Sequence, residues 1–172
     1  MVLGGPPGAG KTTIARALAR RVGAAHIRVD TIEVAIARAR PGEPIDDTGY
    51  EVAYAVAGDQ LGVGRLVVAD TVNPLAVTRA AWRQVATSRG LPVAEVDIRC
   101  SDETLHRRRA QERPVDIEGF VLPTWQEIQD REIEPWDADL RIDTAELDVD
   151  AAVDLLVARL PWLTRGPDGT GI

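Results

Sequence analysis

Apolar positions along the chain alternate between short continuous runs and stripes at helical spacing. The first run is the stub Met1 to Gly4, which opens directly into a glycine-rich turn. Ile14, Leu18 and Val22 then recur at helical spacing and Gly23 follows as a C-terminal stop, so a helix is expected from about Thr12. His26 to Val29 reads as a strand ending in Asp30. Helical residues Thr31 to Ala39 follow, then a connection broken by proline and glycine at Pro41 to Pro44, then a second helical stretch from about Tyr50 to Leu61. Leu66 to Ala69 is a continuous apolar run ending in Asp70, the pattern of a strand buried on both faces, and Asn73 and Pro74 punctuate it. Val77 to Arg89 reads as a helix and Val93 to Arg99 as a strand, with Ser101 as the N-cap of a helix through Glu112. Leu140 to Ile142 makes the last strand. Val149, Ala152, Val153, Leu156 and Leu160 mark a closing amphipathic helix that Pro161 ends.

Strands separated by helices predict an α/β fold: a parallel sheet covered by helices on both faces, with ligands at the carboxyl ends of the strands. The 172 residues suffice for one such domain, taken as residues 1–165, with Gly166 to Ile172 expected as a disordered tail. Hydrophobic residues at 45% and charged residues at 27% are globular values, and no apolar run approaches the roughly 20 residues of a membrane span. With no secretory-type start and a single cysteine, Cys100, the chain reads as a soluble cytoplasmic protein without intrachain disulfides. The net charge of −7 repels polyanions, which argues against non-specific nucleic-acid binding and requires any phosphate site to be built locally.

Such a site is present. Gly5-Pro6-Pro7-Gly8-Ala9-Gly10-Lys11-Thr12 satisfies GxxxxGK[ST] between a strand and a helix, the context this phosphate-binding loop requires. Its glycines allow a backbone path whose N–H groups point at anionic oxygens, and the helix that follows adds its positive dipole end. Gly5, Gly8, Ala9, Gly10, Lys11, Thr12 and Thr13 are therefore the candidate nucleotide-binding residues. Lys11 is placed to reach the β- and γ-phosphates and the Thr12 hydroxyl to ligate Mg²⁺. His26, His106 and Cys100 show no metal-ligand spacing, so a zinc site is not expected, and no GxSxG elbow supports acyl transfer.

Beyond the loop the chain resembles the small P-loop kinases, in particular predicted kinases related to the kinase domain of phage polynucleotide kinase, and is similar to zeta-toxin and chloramphenicol phosphotransferase-like kinases. The likeness is carried by Asp30 at the end of the second strand, by Gly64-Arg65-Leu66-Val67-Val68-Ala69-Asp70-Thr71-Val72-Asn73-Pro74, by the RxxxR spacing of Arg109 and Arg113, and by Asp143-Thr144. It runs from Gly5 to about Leu160. The resemblance implies a P-loop NTPase three-layer sandwich with a five-stranded parallel sheet and a mobile lid over about 109–123. It also implies ATP as co-substrate, Mg²⁺, Asp30 as acceptor of the hydroxyl's proton, and Arg109 and Arg113 as lid arginines. With Lys11 these form the candidate catalytic set.

Phosphoryl transfer needs charge neutralisation and an oriented nucleophile rather than covalent catalysis, and two arginines one helical turn apart can both face the phosphates. A solvated basic face suits Arg107 and Arg108 better. Asp30 and Glu33 lie one turn apart and project toward one cleft. Relatives commonly carry Arg where this chain has Glu33, and a carboxylate there repels a phosphorylated acceptor and favours an amine or a hydroxyl-rich one. Asp70 serves either Mg²⁺ or the acceptor, and Asn73 is a further candidate acceptor contact beside its role in a turn. Tyr50, Tyr54, Trp125 and Trp136 are read as packing residues, with an acceptor wall as the other reading. The expected function is ATP-dependent transfer of the γ-phosphoryl group to a hydroxyl of a small, non-anionic metabolite or natural product. A nucleoside, nucleotide or polynucleotide 5′-kinase is the rival enzyme, and a nucleotide-binding switch with little transfer is the rival of another class.

Overall fold

The computed structural model describes residues 1–164, and the expected tail from Gly166 lies outside them. Five strands form one all-parallel sheet in the order β2-β3-β1-β4-β5. In chain order the elements are β1 (Val2–Gly4), α1 (Lys11–Val22), β2 (Ala25–Arg28), α2 (Val29–Ala39), α3 (Thr48–Gly62), β3 (Val67–Asp70), α4 (Ala76–Thr87), β4 (Glu95–Arg99), α5 (Glu103–Glu112), α6 (Trp125–Gln129), β5 (Leu140–Asp143) and α7 (Val149–Arg159). The three-layer, five-stranded architecture expected from the sequence is the one present.

Alternation along the strands builds the two cores. Leu3 and Val68 face Ile14, Leu18, Val22, Val153 and Leu156 of α1 and α7. Their neighbours Val2, Val67 and Ala69 face Ala53 and Ala57 of α3 and Trp82 of α4. Side chains of a strand point to opposite faces in turn, so a run that is apolar throughout requires helices on both sides. Trp82 and Tyr54 meet edge to face at 4.7 Å between ring centroids, and both belong to this second core, as the packing reading of Tyr54 expected.

Several element boundaries differ from those the sequence predicts, and those around the site matter most. Asp30 does not close β2: the strand ends at Arg28, and Asp30 sits in the first turn of α2, where a carboxylate meets the positive end of the helix. The N-cap of α5 is Asp102 rather than Ser101, its side chain accepting from the Leu105 N–H at 2.9 Å. Arg109 to Glu112 stay helical, so the connection taken as the lid begins at Arg113. It leads to α6, a short helix opened by a capping box between Thr124 and Glu127.

Candidate active site

The carboxyl ends of β1, β2, β3 and β4 end at Gly4, Arg28, Asp70 and Arg99 along one edge of the sheet, and the phosphate loop emerges from the first of them. The loop turns through glycines at left-handed φ, with Gly8 at 83° and Gly10 at 96°. A side chain at Gly8 would place Cβ 2.8 Å from the Ala110 Cβ of α5. Gly8 therefore serves both the backbone turn and the close approach of α5. Gly10 caps α1 without a side chain, which leaves the first N–H groups of that helix available to an anion.

Lys11 is buried, and its Nζ donates to the Pro6 carbonyl at 2.8 Å. Burial lowers its pKa to about 8, against the pull of Asp70 and Asp30, which favour the cation. Asp70 is buried at the end of β3, 3.2 Å from His26 Nε2 and 4.0 Å from Arg28 Nε. Burial alone would raise its pKa, but hydrogen bonding with His26, the charge of Lys11 and hydrogen bonding with Thr12 together hold it below the usual carboxylate value. An Asp70 carboxylate held below its usual pKa and the hydroxyl of Thr12, both lining the cavity beside Lys11, are oxygen donors suited to Mg²⁺, a hard cation that prefers oxygen ligands.

Two cavities open at this edge. One, of about 670 Å³, runs over Gly8, Gly10, Thr13, Arg109 and Thr144. The other, of about 580 Å³, is lined by Asp30, Glu33, Tyr50, Asp70 and Arg131. They share Lys11, Thr12, Arg113, Phe120 and Leu122, so they meet between the phosphate loop and the start of the 113–123 connection. The first lies over the phosphate loop, where the resemblance implies the nucleotide, and the second beside α2, where it implies the acceptor.

The candidate residues divide between them. Asp30 and Glu33 both line the acceptor side, one helical turn apart. Glu33 is half-buried, and burial first, then the charge of Asp30, raises its pKa against the opposing effect of Arg131. Arg113 lines both cavities and lies over the Phe120 ring at 5.7 Å. Arg109 lines only the nucleotide side, where its Nη1 donates to the Thr144 hydroxyl at 3.0 Å and that hydroxyl in turn bonds to the Ala9 carbonyl. Asn73 is buried with φ 53°, accepts from the Thr78 hydroxyl at 2.9 Å and lines neither cavity. Tyr50 does line the acceptor pocket, its hydroxyl held by Thr71 and the Asn73 N–H, whereas Trp125 packs against His106.

Sequence reasoning missed Arg28, Asp116, Arg131 and the role of His26. His26 and Arg28 occupy alternate positions on β2 just before Asp30, and an arginine at the last position of the strand that leads into Asp30 was the signal available for Arg28. Asp116 and Arg131 carried none, because they reach the site through loops. Among the described residues no group of three His, Cys, Asp or Glu side chains is placed to hold a metal, and no helix is long and apolar enough to cross a membrane.

A parallel sheet of order 2-3-1-4-5, with the GxxxxGK[ST] loop between β1 and α1, places the chain in the class of P-loop nucleotide-binding folds. More particularly, the chain belongs to the AAA domain family, whose model matches residues 1–131. No curated protein sequence matches it. Among solved structures it is similar to the APS kinase CysC of Mycobacterium tuberculosis in complex with AMPPNP and APS, at 21% identity and a TM-score of 0.71, over 93% of this chain and 96% of that one. Kti12 of Chaetomium thermophilum in complex with ADP-AlF3 matches at 22% identity and 0.68, over 91% and 96%. A gluconokinase of Sinorhizobium meliloti 1021 matches at 21% identity and 0.61, over 95% and 96%. At these identities the likeness is one of fold.

Proposed function

We propose that the protein transfers the γ-phosphoryl group of ATP to a hydroxyl of a small, non-anionic acceptor. The observation that carries this reading is the junction of the two cavities at Lys11, Thr12 and Arg113, with Asp30 on the acceptor side. Lys11 and the loop N–H groups bind the β- and γ-phosphates, while Thr12 and Asp70 would hold Mg²⁺, which would supply neutralisation of phosphate charge. Asp30 accepts the proton of the acceptor hydroxyl as its oxygen bonds to the γ-phosphorus and the bond from that phosphorus to the β–γ bridging oxygen breaks, releasing ADP. Arg113, which fronts both sides, stabilises the charge of the moving phosphoryl group, and Arg109 contacts the nucleotide beside Thr144. Because little covalent work is asked of the protein, positioning and charge stabilisation carry the rate. The lid residues Phe120 and Leu122 exclude water from the junction, which favours transfer to the acceptor over hydrolysis.

Glu33 supports the non-anionic acceptor: it makes no ion pair among the described residues, and bringing a phosphate beside it and Asp30 would add a third negative charge to a half-enclosed site. A second reading, a nucleotide 5′-kinase, is favoured by Arg131, which lines the acceptor pocket without an ion-pair partner among the described residues and suits an acceptor phosphate. The deciding experiment incubates the protein with Mg·ATP and fractionated metabolite pools and follows mass gain of one phosphoryl group. Neutral or cationic products support the proposal. Exclusively phosphorylated acceptors favour the second reading, and ATP that is held without any transfer favours the switch.

A further inference from the structure

Arg28 ends β2 with its guanidinium buried among carboxylates from three different elements. Its Nη1 donates to both oxygens of Asp116 in the lid connection, at 2.9 and 3.0 Å. Its Nη2 lies 3.5 Å from Asp30 of α2, and its Nε lies 4.0 Å from Asp70 of β3. That Nε has no hydrogen-bond partner among the described residues. The strand register sets Arg28 directly beside Asp70, so the arginine is fixed to the sheet, while Asp116 belongs to the loop that forms the roof of the nucleotide cavity. The planar fork of arginine explains the residue type: Nη1 takes both oxygens of Asp116 while the rest of the guanidinium is held beside Asp30 and Asp70, a fixed planar geometry that the compact ammonium of lysine lacks.

We propose that Arg28 is a positioning residue that couples closure of the 113–123 connection to the placement of Asp30 and Asp70. With the connection down, Asp116 occupies one edge of the guanidinium and fixes its plane, so that the other two edges face the proposed base and the proposed metal-site carboxylate. With it up, the fork loses that anchor and both carboxylates lose a fixed neighbour. The bond to Arg28 is also the largest cause that holds the Asp116 carboxyl down at about 2, so this contact stays ionic across any working pH. Arg16 adds a second, more exposed contact to Asp116 at 2.5 Å, which supports the anchor but reaches neither Asp30 nor Asp70.

The catalytic half of this inference rests on the proposed function, but the closure half does not. Arg28→Gln, Arg28→Lys, Asp116→Asn and the double variant Arg28→Gln/Asp116→Asn are compared with the parent protein, with Mg·AMPPNP bound, by hydrogen exchange across residues 113–123. Faster exchange there in every variant, with the double variant no faster than Arg28→Gln, is the expected result. Steady-state turnover of Mg·ATP with water as acceptor should show Arg28→Gln losing on the order of 10²-fold in kcat, the cost of small misplacement at a reacting centre, with a much smaller change in KM. Asp116→Asn should lose less, because it leaves the guanidinium beside Asp30 and Asp70. If Arg28→Gln does not fold, Arg28→Lys carries the same comparison, since it keeps the charge and loses the fork. Unchanged exchange in the connection, or additive effects of the two single changes, overturns the coupling. Absence of any ATP turnover in the parent protein counts against the proposed function alone, because exchange read also across residues 28–33 and 70–73, which carry Asp30 and Asp70, still decides the coupling.

Discussion

The Lys11 ammonium is held by the Pro6 carbonyl at 2.8 Å, so the cation proposed to meet the phosphates is fixed by the backbone of its own loop. Burial brings its pKa from 10.5 to about 8, which ties both nucleotide binding and stability to alkaline pH, with opposite signs. Below about pH 8 the lysine is protonated in the folded and unfolded states alike. Between about 8 and 10.5 the unfolded chain still binds the proton and the folded one has lost it, so the stability of the protein without nucleotide rises with pH through this window. Affinity for Mg·ATP falls over the same window, because the phosphates lose their cation. Calorimetric binding and denaturant titrations from pH 7 to 10 measure the two trends. Lys11→Ala should remove the pH dependence of binding and abolish productive ATP use, and near-parental turnover in that variant would sink the loop's assignment.

Asp30 tests the acceptor chemistry directly. Asp30→Asn keeps a polar side chain in the first turn of α2 but cannot take a proton, so nucleotide affinity should hold while transfer falls roughly 10²–10⁴-fold, the usual range for a positioned base. Single-turnover transfer beside equilibrium binding of AMPPNP separates the two effects. A variant that transfers at the parental rate would return Asp30 to a favourable charge at a helix end.

Glu33 tests the acceptor's charge. Glu33→Arg should weaken a neutral or cationic acceptor and improve its carboxylated or phosphorylated analogue, by exchanging repulsion for attraction in the half-buried wall of the acceptor pocket. The comparison is kcat/KM for both acceptors in both proteins. A preference that does not move would mean that acceptor charge is read elsewhere, with Arg131 the next residue to change.

Arg113 and Arg109 should separate kinetically, since one fronts both cavities and the other only the nucleotide side. Arg113→Ala should lower kcat far more than it weakens ATP binding, because its contact to the moving phosphoryl group matures in the transition state. Arg109→Ala should act mainly on KM for ATP, and it also leaves the Thr144 hydroxyl without its donor. Equal kcat losses from both would place the two arginines together on the phosphates.

What the sequence by itself determined is local. The glycine loop, the order of strands and helices and the helical spacing of Asp30 and Glu33 all follow from backbone conformation and side-chain periodicity over a few residues. Even there, the end of β2 and the cap of α5 were missed by one residue, because a strand end and a helix cap are decided by which hydrogen bonds the backbone completes. The tertiary structure alone decided how charges pair across the site. Arg28 and Asp116 are 88 positions apart and Arg28 and Asp70 are 42 apart, and no periodicity announces such partners. Sheet register sets the second pair and the path of the 113–123 connection sets the first. The division of Arg109 from Arg113 has the same origin: the RxxxR spacing promised one shared face, but α5 ends at Glu112, so Arg109 stays on the helix beside Thr144 while Arg113 leaves it and turns to the junction of the cavities.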